Sequence, residues 1–495
     1  MSMEQQERLE VIVMGVLTGL QPERVFYYFE ELTKIPHGSG NTKEISDYLA
    51  AFAAEHGLAW EQDASNNIII RKAASAGYEN APTVILQGHC DMVCEKKPGS
   101  AHDFSKDPLK LGVDGDEIYA EDTTLGGDDG IAVAYMMAIL EDDTLAHPAL
   151  EAVVTTDEEI GLLGAAALDT SSLKGKMLLN LDSEEEGILT VSCAGGMTSV
   201  MKLPVRRDEM AGVQYRVEIT GLVGGHSGAE IDKNRSNANL LMGRLLHGLN
   251  LRMDYALAEL EGGSKDNAIT RNCAAEIVID GAEESVMQEY LQELQGQLRG
   301  EYRGSDDRIT INVEKLGSGA APALNPASMQ KVLFFLMNLP NGIQKMSAQI
   351  PGLVETSLNL GILKLEPDCL TAVSSVRSSV GSAKDALGER LEYLTEFLGG
   401  EYHAEGAYPA WEYRADTPLQ KLAVSAYEEL FGKTPKVEAI HAGLECGLFY
   451  EKIPGLDSIS FGPDMKDIHT TEERLSISST ERTYRYLLKI LEKIR

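Results

Sequence analysis

Apolar positions along this chain follow two different periods, and the period changes twice. In the first part, helical spacing over residues 25–32 and 42–56 gives way to short apolar runs at 67–71 and 83–87. A helical stretch at 129–141 then leads into apolar runs at 152–156 and 177–181. Short apolar runs separated by helical segments predict an α/β sheet packed between helices. After Gly195-Gly196 the pattern shifts to amphipathic strands such as 214–220 and 276–279, with helices predicted at 238–249, 285–298 and 327–337. That mixture predicts an α+β region whose helices cover one sheet face. Tyr408-Pro409-Ala410-Trp411 leads back to the first pattern: a helix at 419–431, strands at 436–440 and 458–461, and a helix at 479–494. One α/β domain carrying an inserted α+β domain explains this order. The expected boundaries are 1–196 and 403–495 for the α/β part and 197–402 for the insertion.

Composition narrows the classes of function. The 495 residues are 43% hydrophobic, enough for a substantial core. Asp and Glu number 77 against 44 Lys and Arg, a net charge of −33. Such a surface repels nucleic acid and anionic lipid, so neither is expected as a partner. The apolar stretch at 11–20 is broken by Gly15, Thr18 and Gly19 and preceded by Glu4, Glu7 and Glu10. It reads as neither a signal peptide nor a membrane span. Six cysteines without a CxxC pair read as reduced thiols in a cytoplasmic protein.

Five acid- and histidine-bearing motifs carry the candidate chemistry. In QGHCDMV (87–93) an apolar strand stops at His89 and Asp91. Alternate strand positions share a side, so the two can converge, and a metal-bound histidine usually gives its other N–H to a carboxylate. TTLGGDDGIA (123–132) places Asp128 and Asp129 in a glycine-rich turn that opens a helix. An aspartate there serves as a helix cap or presents a carboxylate to two metals at once. VVTTDEEIG (153–161) ends a β-branched strand in three acids, read as an exposed acidic turn or as a division of labour. In the second reading one of Glu158 and Glu159 binds metal and the other takes a proton from an activated water. MLLNLDSEEEG (177–187) stops a strand at Asp182, and DSISFGPDMKDIHTTEERL (457–475) sets His469 in a polar loop before the last helix. Four of the five groups follow a predicted strand at its C-terminal end, the edge where open α/β sheets bind ligands. Histidine with carboxylate suits zinc, with manganese or cobalt as substitutes. Two such ions sharing one carboxylate sit roughly 3.5–4 Å apart.

In combination, GHCDMV, LGGDDGIA, TTDEEIG, NLDSEEEG, GGHSG, IHAGLECGLF and the late histidine resemble the bacterial aminoacyl-histidine dipeptidases over nearly the whole chain. These are also called Xaa-His or cytosolic non-specific dipeptidases. They are carnosinase-like enzymes within the wider group of di-zinc exopeptidases. The resemblance implies a three-layer α/β/α catalytic domain with an inserted α+β lid that mediates homodimerisation. It implies two zinc ions per subunit: one on His89 and Asp182, the other on Glu159 and His469, with Asp128 bridging. Asp91 would orient His89, and Glu158 would be the general base. His226 in GLVGGHSGAEI would stabilise the oxyanion, although the residues alone read as a turn histidine. Asn267, Arg377 and Gly443 match substrate-binding positions. Arg377 would clamp the peptide's C-terminal carboxylate, whereas the bare sequence equally allows a surface salt bridge. The implied activity is hydrolysis of dipeptides of the Xaa-His type, including β-alanyl-histidine. A related N-acyl-amino-acid deacylase or tripeptidase is the alternative, and a non-catalytic binding protein a third. One departure stands out: the loop reads Gly127-Asp128-Asp129 where close relatives often have Ala-Asp-Asn, which adds a carboxylate beside the bridge.

Overall fold

The computed structural model describes residues 15–495, so Glu4, Glu7, Glu10 and the start of the apolar stretch at 11–20 lie outside the described residues. The chain divides into two compact units. One comprises the residues up to Val191 with Arg414–Glu438 and Leu448–Arg495; the other comprises Ser192–Tyr413 and Ala439–Gly447. These seams differ from those expected at 196/197 and 402/403, and residues 439–447 group with the middle unit. The local reason is hydrogen bonding and packing: the Ala194 amide donates to the Ala442 carbonyl at 3.0 Å, and Gly443 lies against Tyr408.

The first unit is built on an eight-stranded sheet. Its order is Ala59–Gln62, Ile68–Lys72, Leu150–Thr155, Val84–His89, Met177–Asn180, Asp457–Ser460, Ile188–Cys193 and Lys436–Ile440. Four neighbouring strands, from Leu150–Thr155 through Asp457–Ser460, run parallel, so their C-terminal ends share one edge. Val84–His89 and Leu150–Thr155 are buried at every position. Near-continuous apolar runs of this kind belong to parallel strands covered on both faces. The helix Gly127–Glu141 is buried through Leu140, and Phe29 of the helix Glu23–Leu32 packs against Gly130. A small four-stranded sheet holds the hairpin of Met465–Lys466 and Arg474–Ser476 against Glu117–Ala120.

The middle unit is organised around antiparallel strands. Its sheet runs Thr310–Leu324, Arg207–Thr220, Cys273–Ile279, Tyr255–Gly262, Val354–Leu365, Cys369–Ser378, Gly195–Pro204 and Glu401–Tyr408, with Gly342–Met346 beside Val354–Leu365. Strand alternation sends Tyr215, Val217 and Ile219 into one core with Leu241 and Leu245 of the helix Ala238–Asn250 and Leu291 and Leu294 of the helix Glu284–Glu301. Each such leucine contributes about 1.5–3 kcal/mol on full burial, which is what holds the helices on the sheet. A two-stranded ribbon, Gly225–His226 with Ala268–Ile269, carries the GGHSG motif.

Candidate active site

The shared strand edge of the first unit is where the sequence motifs meet. His89 is the last residue of its strand, Asp182 lies two residues past Asn180, and Glu158 and Glu159 occupy the turn after Thr155. Asp128 arrives from the turn Gly126-Gly127. Gly126 has φ 70°, and a Cβ there would come within 2.9 Å of Met92 Sδ, so glycine is required. Asp128 and Asp129 have non-helical backbone angles, so the turn continues past Gly127 before the regular helix begins. His469 sits on the hairpin loop between Met465–Lys466 and Arg474–Ser476, at φ 61°.

The side chains converge around Asp128. Its Oδ1 is 3.2 Å from His89 Nε2, and its Oδ2 is 3.1 Å from His469 Nε2. His469 Nε2 also lies 2.9 Å from Glu159 Oε1, and His89 Nε2 lies 3.9 Å from Asp182 Oδ1. Two donor triads result, His89–Asp128–Asp182 and Asp128–Glu159–His469, each with its potential ligand atoms within 4.8 Å of one another. A third grouping of the same kind, His89–Glu158–Glu159, brings Glu158 against the first histidine.

So many acids in one place cost energy. Two carboxylates 4 Å apart repel by about 4 kcal/mol at an effective dielectric of 20. The proton affinities record this. Burial alone would lower His89, yet its hydrogen bonds to Asp128 and Asp91 hold it well above its ordinary value. Hydrogen bonds with Asp128 and then Glu159 raise His469 to about 10. Burial pushes Asp128 up, but His469 and His89 outweigh it and leave the carboxyl below its usual range. Burial, with Asp129 next, raises Asp182 well above a normal aspartate, and burial with Asp128 raises Glu184 to about 7. Two imidazoles and three carboxylates around one shared oxygen pair form a donor set that fits two divalent cations.

Asp91 reaches His89 from the segment just past the strand, which ends at His89. His89 Nδ1 lies 3.0 Å from the Asp91 carbonyl and 3.4 Å from Asp91 Oδ1. The Asp91 carboxylate also accepts from the Glu158 amide at 3.0 Å, the Glu159 amide at 3.4 Å and Ser39 Oγ at 2.8 Å. It therefore orients the acidic turn as well as the histidine. No motif pointed to Ser39.

The middle unit holds a second cluster. His226 Nδ1 accepts from the amides of Gly228 at 3.2 Å and Ala229 at 3.1 Å, which leaves the ring proton of the neutral form on Nε2. Burial and then the Arg377 charge hold its proton affinity below the ordinary histidine value. Asn267 lies beside the same ribbon, and its carbonyl accepts from the Ser227 amide. Arg377 is 9% exposed, donates to Tyr408 Oη at 2.9 Å, and has no carboxylate within 4.0 Å among the described residues, so it is not a surface ion pair. Its Nε is buried without a hydrogen-bond partner. Gly443 faces Tyr408, whose ring a Cβ would meet at 2.8 Å. Tyr408 thus joins two of the expected substrate-binding positions, and His441, bonded through Nε2 to Ser357 Oγ at 2.7 Å, lies close by. The sequence marked Tyr408 only as the start of a connecting segment.

Known proteins resemble this chain along nearly its whole length. The profile of Peptidase family M20/M25/M40 matches residues 85–493. The chain is 36% identical over 483 residues to the cytosol non-specific dipeptidase of Escherichia coli (strain K12), covering 97% of this chain and 99% of that one. It superposes on the crystal structure of aminoacylhistidine dipeptidase from Vibrio alginolyticus with a TM-score of 0.91 and 34% identity, over 97% and 98% of the two chains. An aminopeptidase PepT from Bacillus cereus, 17% identical with a TM-score of 0.55 over 96% and 99% of the chains, shares the fold. Peptidases of this family depend on metal. The chain belongs to peptidase family M20/M25/M40 and is a hydrolase of peptide bonds.

Proposed function

We propose that this chain is a cytosolic dipeptidase acting on dipeptides with a free amino terminus, Xaa-His and β-alanyl-histidine among them. The observation that carries the reading is the bridging placement of Asp128, one carboxylate oxygen toward each of two histidines. His89 and Asp182 would hold one zinc ion, and Glu159 and His469 the other, with Asp128 shared and manganese or cobalt able to substitute. When bound, the cations supply Lewis acidity, polarising the scissile carbonyl and making water acidic enough to attack at neutral pH. Glu158 takes the proton of the attacking water and passes it to the leaving amine. Asp91 holds His89 and the Glu158 backbone in place. Nε2–H of His226 is the donor for the developing oxyanion, its Nδ1 being already occupied by amides. The guanidinium of Arg377 takes the peptide's C-terminal carboxylate, beside Asn267 and Gly443.

The middle unit acts as a lid and as the dimer interface, so His226 is delivered by closure or by a second copy of the chain. Six free thiols and the name of the Escherichia coli relative support a cytosolic setting. Among the described residues no helix is long and apolar enough to cross a membrane. Net charge −33 argues against nucleic acid as a partner.

The test is a substrate panel run at defined metal content: carnosine, Ala-His, an N-acetyl amino acid and a tripeptide. Preferred cleavage of the two dipeptides, lost with the metal and restored by zinc, is the expected result. A preference for the acetylated compound or the tripeptide would reassign the substrate, and a preparation that never takes up metal would end the reading.

A further inference from the structure

A buried acid that takes no part in the chemistry above sits next to both ends of the second donor triad. Glu473 is 3% exposed. It lies four residues past His469, at the end of the same hairpin loop. Its carboxylate accepts three backbone amides from the turn that delivers Asp128: Leu125 at 2.7 Å and Gly126 at 3.2 Å on Oε2, and Gly127 at 2.8 Å on Oε1. A Cβ on Gly127 would lie 3.2 Å from Met465 Sδ and 3.3 Å from Glu473 Oε1, so the turn has little room to settle elsewhere. Asp128 and Asp129 are non-helical, so Leu125–Gly127 form a turn ahead of the regular helix, and this carboxylate from far along the chain holds that turn by its amides.

We propose that Glu473 is a positioning residue for the Asp128–Glu159–His469 cation site, tying the His469 loop to the Asp128 turn. The inference rests on the two-cation reading above. Two of the three donors of that site are carried by the segments Glu473 joins, whereas the His89–Asp128–Asp182 site depends on it through Asp128 alone. Removing the tie should therefore act unequally on the two sites. Outer residues that orient metal ligands typically change affinity by about 10–100-fold.

The experiment titrates the metal-free full-length chain with Co2+, followed by visible absorption and calorimetry. Wild type should take up two ions. Glu473→Gln keeps the side-chain volume but turns an amide NH2 toward backbone N–H groups. It should weaken the Glu159/His469 site by about 10–100-fold and leave the His89/Asp182 site within about fivefold. At saturating metal, kcat should fall while KM stays within about twofold, the pattern of a misplaced catalytic group rather than lost substrate binding. Glu473→Asp, which keeps the charge, should recover part of the affinity. If Glu473→Gln does not fold, Glu473→Asp carries the same comparison. Unchanged Co2+ affinities in a folded variant would overturn the proposal. Equal weakening of both sites in step with a lower melting temperature would do the same, because it marks a general structural role. A wild-type chain that binds no pair of ions would instead refute the two-cation reading itself.

Discussion

The acid–histidine cluster of the first unit and the His226–Arg377 cluster of the middle unit solve opposite electrostatic problems. The first gathers like charges: Asp91, Asp128, Glu159 and Asp182 crowd two imidazoles at the end of a parallel sheet, and those imidazoles bind protons tightly. The second sets histidines beside a cation on an antiparallel scaffold, and His226 and His441 resist protonation. The difference teaches what each cluster lacks. The first is short of positive charge, and a proton or a metal fills that need. The second holds a cation with no carboxylate beside it among the described residues, a place that the proposed function gives to a substrate carboxylate or a developing oxyanion.

The largest effect that tests this contrast is loss of the base. Glu158→Ala should lower kcat by about 10²–10⁴-fold while two metal ions per chain remain by elemental analysis, because Glu158 is assigned proton transfer rather than coordination. Activity close to wild type would remove Glu158 from that role. Next comes the oxyanion donor. His226→Ala should lower kcat by about 10²–10³-fold with metal content unchanged. Mixing His226→Ala with Glu158→Ala chains then separates two routes: recovered activity after proven subunit exchange places the histidine across a dimer, and none places it within one chain.

Proton release measures the charge deficit of the first cluster. In the metal-free chain the surrounding acids raise both His89 and His469, His469 to about 10. Metal binding needs neutral imidazoles and ionised carboxylates, so it should expel protons, seen as a buffer-dependent heat in calorimetry. The sign follows from the raised values. In the metal-free chain His469 stabilises the fold fully below pH 6.5, and that support fades as pH rises through about 10, while metal affinity grows with pH. Release of no protons would contradict the crowded-acid description.

The smallest effect belongs to the middle unit. Burial, with Arg377 next, lowers His441 to about 4. The unfolded chain takes up this proton near pH 6.5 and the folded chain only near 4, so stability should fall as pH drops between those values, by up to about 3 kcal/mol. His441→Gln should flatten the denaturation midpoint over that window. A midpoint equally steep in the variant would assign the slope to other groups.

Much of this was legible before any coordinates. The helices at 25–32, 42–56 and 419–431 and the strands at 67–71, 83–87 and 177–181 were readable because buried periodicity and turn residues agreed locally; the structure shifts their ends by a residue or two, as at Ile68–Lys72 and Val84–His89. His89, Glu159 and Asp182 were readable as candidate donors because strands that end in acids or histidine advertise an edge, whereas Asp128 opens a helix and His469 lies on a separate hairpin. What stayed hidden depends on contacts distant in sequence. Ser39 reaches Asp91, and Glu473 reaches a turn near 126; neither carries a local pattern that points to its partner. The grouping of 439–447 with the middle unit was invisible for the same reason, since the Ala194–Ala442 hydrogen bond sets it. His89 and Asp91 were read as strand neighbours, yet the strand stops between them.

The two candidate donor triads draw on five separate segments, spread from His89 to His469. A denatured chain cannot hold them together, so every ion bound favours the native state by mass action. An ion present at about a thousand times its dissociation constant adds about 4 kcal/mol, comparable with much of the margin that keeps an ordinary domain from melting. Cation scarcity would thus shorten the lifetime of this chain as well as idle it, and a core mutation tolerated in metal-rich medium would surface as aggregation or degradation when the metal runs low.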